Sequence, residues 1–143
     1  SMKRSPDYYN NKKRLKSLDY STGKYKVNVE SAWEWFHILN EQVFGNLLEP
    51  VEKIFISKHK DYGDVYALYY YDSGKRGEPT KISFCKSFDS EKHFVEILAH
   101  EMIHHFQYSY DEPLGHGPTF MAWRDNLTLK GLNLYKVAWK WKQ

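Results

Sequence analysis

With one cysteine in 143 residues, the chain falls outside two common classes of protein. Cys85 alone builds neither an internal disulfide framework nor a Cys-based zinc ribbon; in its strand-like surroundings it reads as a small core residue. Long apolar runs are also missing. Nothing approaches membrane-span length, and no charged-then-apolar leader opens the chain. No membrane role is therefore expected, and the expected address is cytoplasmic, where association with a nucleoid is compatible with the charge. Ser1 ahead of Met2 reads as a tag-cleavage scar. There is no internal repeat and no low-complexity tract. Neither Gly nor Pro occurs over residues 90–112, which leaves room for one long uninterrupted helix.

What is present suits a single domain with a real core. Apolar residues make up 41% and aromatics 17%, so large amphipathic side chains face both core and surface. Charge is unevenly spread. Residues 1–26 carry Lys3, Arg4, Lys12, Lys13, Arg14, Lys16, Lys24 and Lys26 against Asp7 and Asp19, a net of +6, while the remainder nets −3. This polar opening lacks periodicity and reads as an arm or irregular wrap. The chain then divides into a basic arm, 1–27, and a domain, 28–143. A basic arm on a mildly acidic body fits an anionic partner such as DNA, held through Lys12, Lys13, Arg14 and Lys16. It fits a solvated leader equally well.

Periodicity orders the rest. Ser31-Ala32-Trp33-Glu34 matches a capping box, and Trp33, Phe36, Leu39, Val43 and Phe44 continue it as an amphipathic helix ending at Gly45. Residues 51–57 and 65–71 read as strands. Asp72-Ser73-Gly74-Lys75-Arg76-Gly77 turns the chain, and 80–85 returns as a partner strand, with Pro79 at its start compatible with an edge. Asp89 or Ser90 caps a helix over 90–108, whose stripe is Phe94, Val95, Ile97, Leu98, Met102, Ile103 and Phe106. Gly117 then Pro118 opens a last helix, with Phe120, Trp123 and Leu127 on its apolar face and Gly131 at its end. The tail Tyr135-Lys136-Val137-Ala138-Trp139-Lys140-Trp141-Lys142 alternates like a strand. The expected fold is α+β: an N-terminal helix, about three antiparallel strands, then two helices.

The chemistry lies in the second of these helices, the 90–108 segment. His100-Glu101-Met102-Ile103-His104 is a H-E-x-x-H run, and positions i and i+4 lie above one another on a helix. Both imidazoles can then face one metal ion, while Glu101, roughly 100° around the helix, reaches a metal-activated water without being a ligand. This is the zincin helix. A catalytic zinc takes three protein ligands. Six residues after His104, where a metzincin has its third His, stands Tyr110. His116, between two glycines before the last helix, is the favoured third ligand, and Asp125 competes with it. His105 points away from the pair, and His37, His59 and His93 have no partner pattern. Tyr108, Tyr110 and His105 are the nearby side chains considered for stabilising an oxyanion.

H-E-M-I-H at 100–104 with G-H-G-P-x-F at 115–120 resembles the SprT-like metalloprotease domain, to which Spartan-type proteases belong. Upstream, Phe36, Asn40 and Phe44 through Leu47-Leu48 look like that family's first helix and its Asn-x-x-x-Phe-x-x-x-Leu signature. The resemblance covers about 28–131. It implies a minimal zincin fold, one zinc per chain on His100, His104 and His116, Glu101 as catalytic base, and, in the best-known members, cleavage of proteins crosslinked to DNA. Many SprT-like proteins continue into a Cys-rich zinc ribbon, which is lacking here. The basic arm and the Trp139-Lys140-Trp141-Lys142 tail are candidates for its DNA-binding part. The expected function is zinc-dependent endopeptidase, directed to DNA-bound proteins. The alternatives are a nucleic-acid-binding module with a structural zinc, and a hydrolase of non-peptide amides.

Overall fold

The computed structural model describes residues 4, 6–58, 65–72 and 79–136. The architecture is α+β, with a small three-stranded sheet packed on helices. Helix α1 (Pro6–Lys16) is followed by a 3-10 turn at Tyr20–Thr22, strand β1 (Tyr25–Lys26) and helix α2 (Val29–Gln42). Then come β2 (Lys53–Ile56), β3 (Ala67–Tyr70), β4 (Lys81–Phe84), β5 (Ser87–Phe88), the long α3 (Glu91–Ser109), and the short α4 (Pro118–Met121) and α5 (Arg124–Leu129).

The opening segment corrects the expectation of an arm or irregular wrap. Pro6 stands at its first helical position, Asp7 in the first turn and Lys13, Arg14 and Lys16 in the last, the arrangement that suits a helix dipole. The resulting α1 lies against α2. Leu15 is only 1% exposed, the Gln42 amide donates to the Tyr8 carbonyl at 2.9 Å, and Asn11 donates to Glu41 at 3.2 Å. Arg14 bonds Glu34 at 3.3 Å and covers the Trp35 ring. One buried leucine in eleven residues makes no apolar stripe, which is why periodicity missed the helix.

Helix α2 starts earlier than the capping box implied: Asn28 is the N-cap, its side chain accepting from the Ser31 N–H at 3.0 Å. Its buried face includes Trp35, Phe36, Ile38 and Leu39. Asn40 is buried too, and its amide pairs with both backbone groups of Leu48, donating to the carbonyl at 2.8 Å and accepting from the N–H at 3.1 Å. That pairing gives the upstream Asn and Leu signature a physical role: it satisfies the backbone of Leu48, which is buried just after an exposed turn.

The three expected strands form, in the order β2-β4-β3. The sheet is mixed rather than wholly antiparallel. β3 and β4 pair antiparallel, whereas β2 runs parallel to β4, with Ile54 opposite Ile82. Strand β4 is therefore central, and Ile82, Ser83 and Phe84 are all buried, as befits a strand covered on both faces. Pro79 lies ahead of this strand rather than marking an edge. A second ribbon pairs β1 with β5.

Ser90 caps α3, accepting from the His93 N–H at 3.1 Å. The helix runs through the core, and His100, Glu101, His105 and Gln107 are buried along with its apolar residues. Gly117 and Pro118 open the next helix as expected, but it breaks after Met121 and resumes at Arg124. At the break the Trp123 indole is wedged against Phe44 and Phe106, with centroids 4.7 and 4.9 Å away. Gly131, at φ 78°, ends the second piece by letting the Leu132 N–H return to the Leu127 carbonyl at 2.9 Å, a left-handed cap. Tyr135 and Lys136 are not in a strand, and the rest of the alternating tail lies outside the described residues, as do His59 and the 73–77 turn. No described helix is long and apolar enough to cross a membrane.

Candidate metal centre

One turn of α3 separates His100 from His104, and their Nε2 atoms stand 3.2 Å apart. The loop after α3 carries His116 back over them, its Nε2 3.3 Å from that of His100. One ligand atom from each of the three lies within 4.8 Å of the others, a cluster able to hold a metal ion. All three rings rest on Phe120, itself fully buried, at centroid distances of 4.9, 5.3 and 4.8 Å for His100, His104 and His116. This apolar floor restrains the rings to one geometry, which gives the Phe of the G-H-G-P-x-F motif its function.

Burial disfavours the charged imidazolium most at His100 and less at the more open His104 and His116. It is the main cause holding the His100 imidazolium down to about 3, and the neighbouring His104 and His116 add to it. His104 is lowered by burial, despite the opposing bond from Gln107, and His116 by burial and then the Lys136 ammonium. Neutral imidazole is the form that binds metal. Glu101 lies between the helix and the core, and burial pushes its carboxyl up to about 8. Its Oε2 is 3.8 Å from His100 Nε2 and has no hydrogen-bond partner among the described residues. A buried carboxyl oxygen without a partner costs about 1–3 kcal/mol or more. It fits a site that is complete only with a further polar occupant beside the imidazoles. The donor set and this orphaned oxygen suit a divalent ion with water next to Glu101.

The SprT-like family model matches residues 32–137. The chain belongs to the SprT-like family. Membership makes it a metalloprotease-like domain and implies a metal, in agreement with the three-imidazole cluster. No curated protein matches the chain closely enough to count as a relative.

Hydrogen bonds around the SprT-like site fix which nitrogen of His100 and of His105 carries the proton. A carbonyl oxygen can only accept, so His100, whose Nδ1 lies 2.5 Å from the Tyr135 carbonyl, is protonated on Nδ1 and turns a lone pair on Nε2 toward its neighbours. His105 is the opposite case. Its Nε2 donates to the Glu49 carbonyl at 2.8 Å, so Nδ1 accepts from the Tyr69 hydroxyl at 2.8 Å. With both nitrogens engaged away from the cluster, His105 serves the core. The Tyr110 hydroxyl donates to the Leu47 carbonyl and that of Tyr108 to the Asp72 carbonyl, so these three side chains are directed elsewhere than an oxyanion. Asp125 is exposed on α5 and outside the cluster. His37 stacks on Trp33, and His93 packs among Tyr66, Phe88 and Tyr135.

Two supporting groups escaped the sequence reading. The Tyr135 carbonyl is a backbone atom 35 residues from His100, and no side-chain pattern announces it. Gln107, wholly buried, meets His104 Nδ1 at 2.9 Å. A polar residue one turn after His104, facing the same way, was the available signal.

Proposed function

We propose that this SprT-like domain is a zinc-dependent endopeptidase, with one zinc per chain on His100, His104 and His116 and Glu101 as general base. The observation that carries this reading is Glu101 Oε2, buried 3.8 Å from His100 Nε2 and without a hydrogen-bond partner among the described residues. Glu96 Oε1 and Glu112 Oε1 are buried without a partner among those residues too, so it is the place of Glu101 beside the three imidazoles that supports a base there. Zinc, when bound, supplies a Lewis acid that acidifies water and polarises a carbonyl. Glu101 accepts the water's proton on Oε2 and returns it to the leaving amine. Burial holds that carboxyl near 8; a divalent charge bound beside it would favour the carboxylate and lower that value, leaving Glu101 able to take and to give a proton. The protein substrate adds as a strand along β3, whose outer edge pairs with no described strand, so main-chain hydrogen bonds supply affinity.

The finer proposal is that the substrate is a DNA-bound or DNA-crosslinked protein. Folding of α1 brings Lys12, Lys16 and Arg4 near Lys130, whose ammonium is lowered first by burial and then by those three charges. Lys24, Lys26 and Lys86 line one concave surface. Clustered like charges that are not neutralised within the protein favour a polyanion such as the DNA backbone. Arg14 is engaged by Glu34 and Trp35, so Lys12, Lys13 and Lys16 carry more of this role than Arg14. The Lys/Trp tail at 139–142 lies outside the described residues.

The test is cleavage of a DNA-binding protein by zinc-loaded wild type and Glu101→Gln, without DNA, with single-stranded DNA and with duplex. The variant should keep stoichiometric zinc and lose about 10²–10⁴-fold in cleavage rate. Zinc content of one with no cleavage under any condition would defeat the protease reading in favour of a nucleic-acid-binding module with structural zinc. Cleavage indifferent to DNA would remove only the DNA-directed part. Neutralising Lys12, Lys16 and Lys130 together should lower DNA affinity and flatten its salt dependence. That substitution leaves α1 docked through Leu15, whereas truncating residues 2–16 would uncover the core.

A further inference from the structure

The geometry points to Gln107 as the positioning residue that couples the metal-ligand helix to the metal-ligand loop: one carboxamide fixes the tautomer of His104 and the path of the chain that delivers His116. This rests on the three-histidine metal reading. Gln107 lies one turn after His104 on α3 and is completely buried. Its Oε1 and Nε2 are distinguished by what faces them. The Gly115 carbonyl, 3.1 Å from Nε2, can only accept, so the amide nitrogen must be the group turned toward it. Nε2 also reaches the Thr119 hydroxyl at 3.0 Å, and that hydroxyl donates to the Pro113 carbonyl at 3.1 Å. Oε1 is left facing His104 Nδ1 at 2.9 Å, with the Gly115 N–H approaching the same oxygen at 3.4 Å.

The proton assignments follow in sequence. Since Oε1 only accepts, His104 carries its proton on Nδ1, and the Nε2 lone pair is directed toward His100 and His116. Meanwhile the carboxamide grips both backbone groups of Gly115, the residue before His116. The Gln107 main-chain carbonyl also receives the Glu112 N–H at 2.8 Å. Gln107 therefore binds the loop at 112 and 115 and the first turn of α4 at 119. His116 is exposed and sits in a loop with φ of 59° at Asp111 and 140° at Gly115, a path that needs external support. His100 obtains its tautomer from a backbone carbonyl, which no substitution of a side chain removes directly. His104 obtains it from Gln107 alone among the described residues.

The inference is tested on the full chain by zinc affinity, from competition with a chromophoric chelator, and by amide hydrogen exchange over 110–119. Gln107→Leu removes both functions, and its zinc affinity should fall about 10–100-fold while the loop amides exchange faster. Gln107→Glu keeps an acceptor for His104 but loses the donor to Gly115. It should loosen the loop as much and lose less affinity. A merely structural Gln107 would lower the thermal midpoint of the metal-free protein and leave the zinc dissociation constant unchanged; that result in Gln107→Leu overturns the inference. Should Gln107→Leu not fold, Gln107→Glu decides: loop exchange at the wild-type rate also overturns it. Wild type that binds no zinc would instead bring down the metal reading beneath it. The cobalt-substituted spectrum gives an independent check, since a rotated His104 changes the ligand field and a distant packing defect does not.

Discussion

The three imidazoles of this site come from two very different kinds of backbone. His100 and His104 project from the middle of α3, a helix buried in the core, and their spacing is fixed by helical geometry before any metal arrives. His116 projects from an exposed loop, held by hydrogen bonds to Gln107 and by Phe120 beneath it. On the proposed zinc reading, a pair that is built in and a third ligand delivered by the loop would make metal binding and ordering of the loop one equilibrium. The helix would then set where the metal goes, and the loop how tightly it stays. The two regions should respond differently to acid and base, to truncation and to backbone strain.

The largest difference is expected in the pH dependence of the metal-free protein. On α3, His100 has its imidazolium lowered to about 3 by burial, so the unfolded chain binds that proton more readily than the folded one. Stability contributed this way is present above the ordinary His value near 6.5 and is lost as pH falls toward 3. Glu101 has the reverse sign. Its carboxyl is raised to about 8 by burial, so the folded chain holds the proton longer, and stability present below about pH 4.5 falls as pH rises through 8. With about 1.4 kcal/mol per pKa unit, each limb is worth several kcal/mol. The two slopes cancel between about pH 4.5 and 6.5, so chemical denaturation from about pH 3 to 9 should show a plateau there with losses on both sides, and Glu101→Gln should abolish the alkaline loss. A flat profile above pH 7 in metal-free wild type would contradict the dry environment assigned to Glu101. Saturating zinc should suppress the alkaline limb, since it favours the carboxylate, and steepen the acid one, since protons compete with the metal for the imidazoles.

Truncation comes next. His100→Ala and His116→Ala should both abolish tight zinc binding, because each removes one of three ligands. Their effect on the metal-free fold separates helix from loop. His100 is 2% exposed, packs on Phe120 and satisfies the Tyr135 carbonyl. Its loss should cost about 2–4 kcal/mol. His116 is exposed, and its loss should stay within about 0.5 kcal/mol. Urea titrations of the two variants without zinc measure this directly. Equal destabilisation would mean that the loop is as much a part of the core as the helix.

The same division decides what the sequence revealed. H-E-x-x-H is a local pattern on one uninterrupted helix, so His100, Glu101 and His104 could be read as a unit. His116 was reached because Gly115 and Gly117 flank it and Pro118 starts a helix, all local signals. The tie between loop and helix was not legible, because Gln107 looks like any polar residue near a helix end until Gly115 faces it. The sheet repeats the point. Strand positions followed from composition, but the parallel pairing of β2 with β4 arises because β4 lies between β2 and β3, and alternation carries no sign of that. Helix α1 was missed for a related reason. Its place against α2 rests on Leu15 and a few polar contacts, too few to leave a periodic trace.

The smallest expected effect tests whether the loop's path is held by conformation or by crowding. Gly115 and Gly117 flank His116, and a Cβ built on either meets nothing within 4 Å. Steric reasoning alone would make alanine harmless at both. They differ in backbone: Gly115 has φ of 140°, where an L side chain is strained, whereas Gly117 has φ of −83° with extended ψ, open to any residue. Gly115→Ala should therefore cost about 1–3 kcal/mol, borne by the loop as a loss of zinc affinity, with α3 amide exchange unchanged. Gly117→Ala should change stability by less than about 0.5 kcal/mol, because the extended cap tolerates a methyl group. Zinc affinity and thermal midpoints of the two variants, side by side, give the comparison. If Gly117→Ala proved the more damaging, His116 would be held by the start of α4 and not by the strained turn that Gln107 grips.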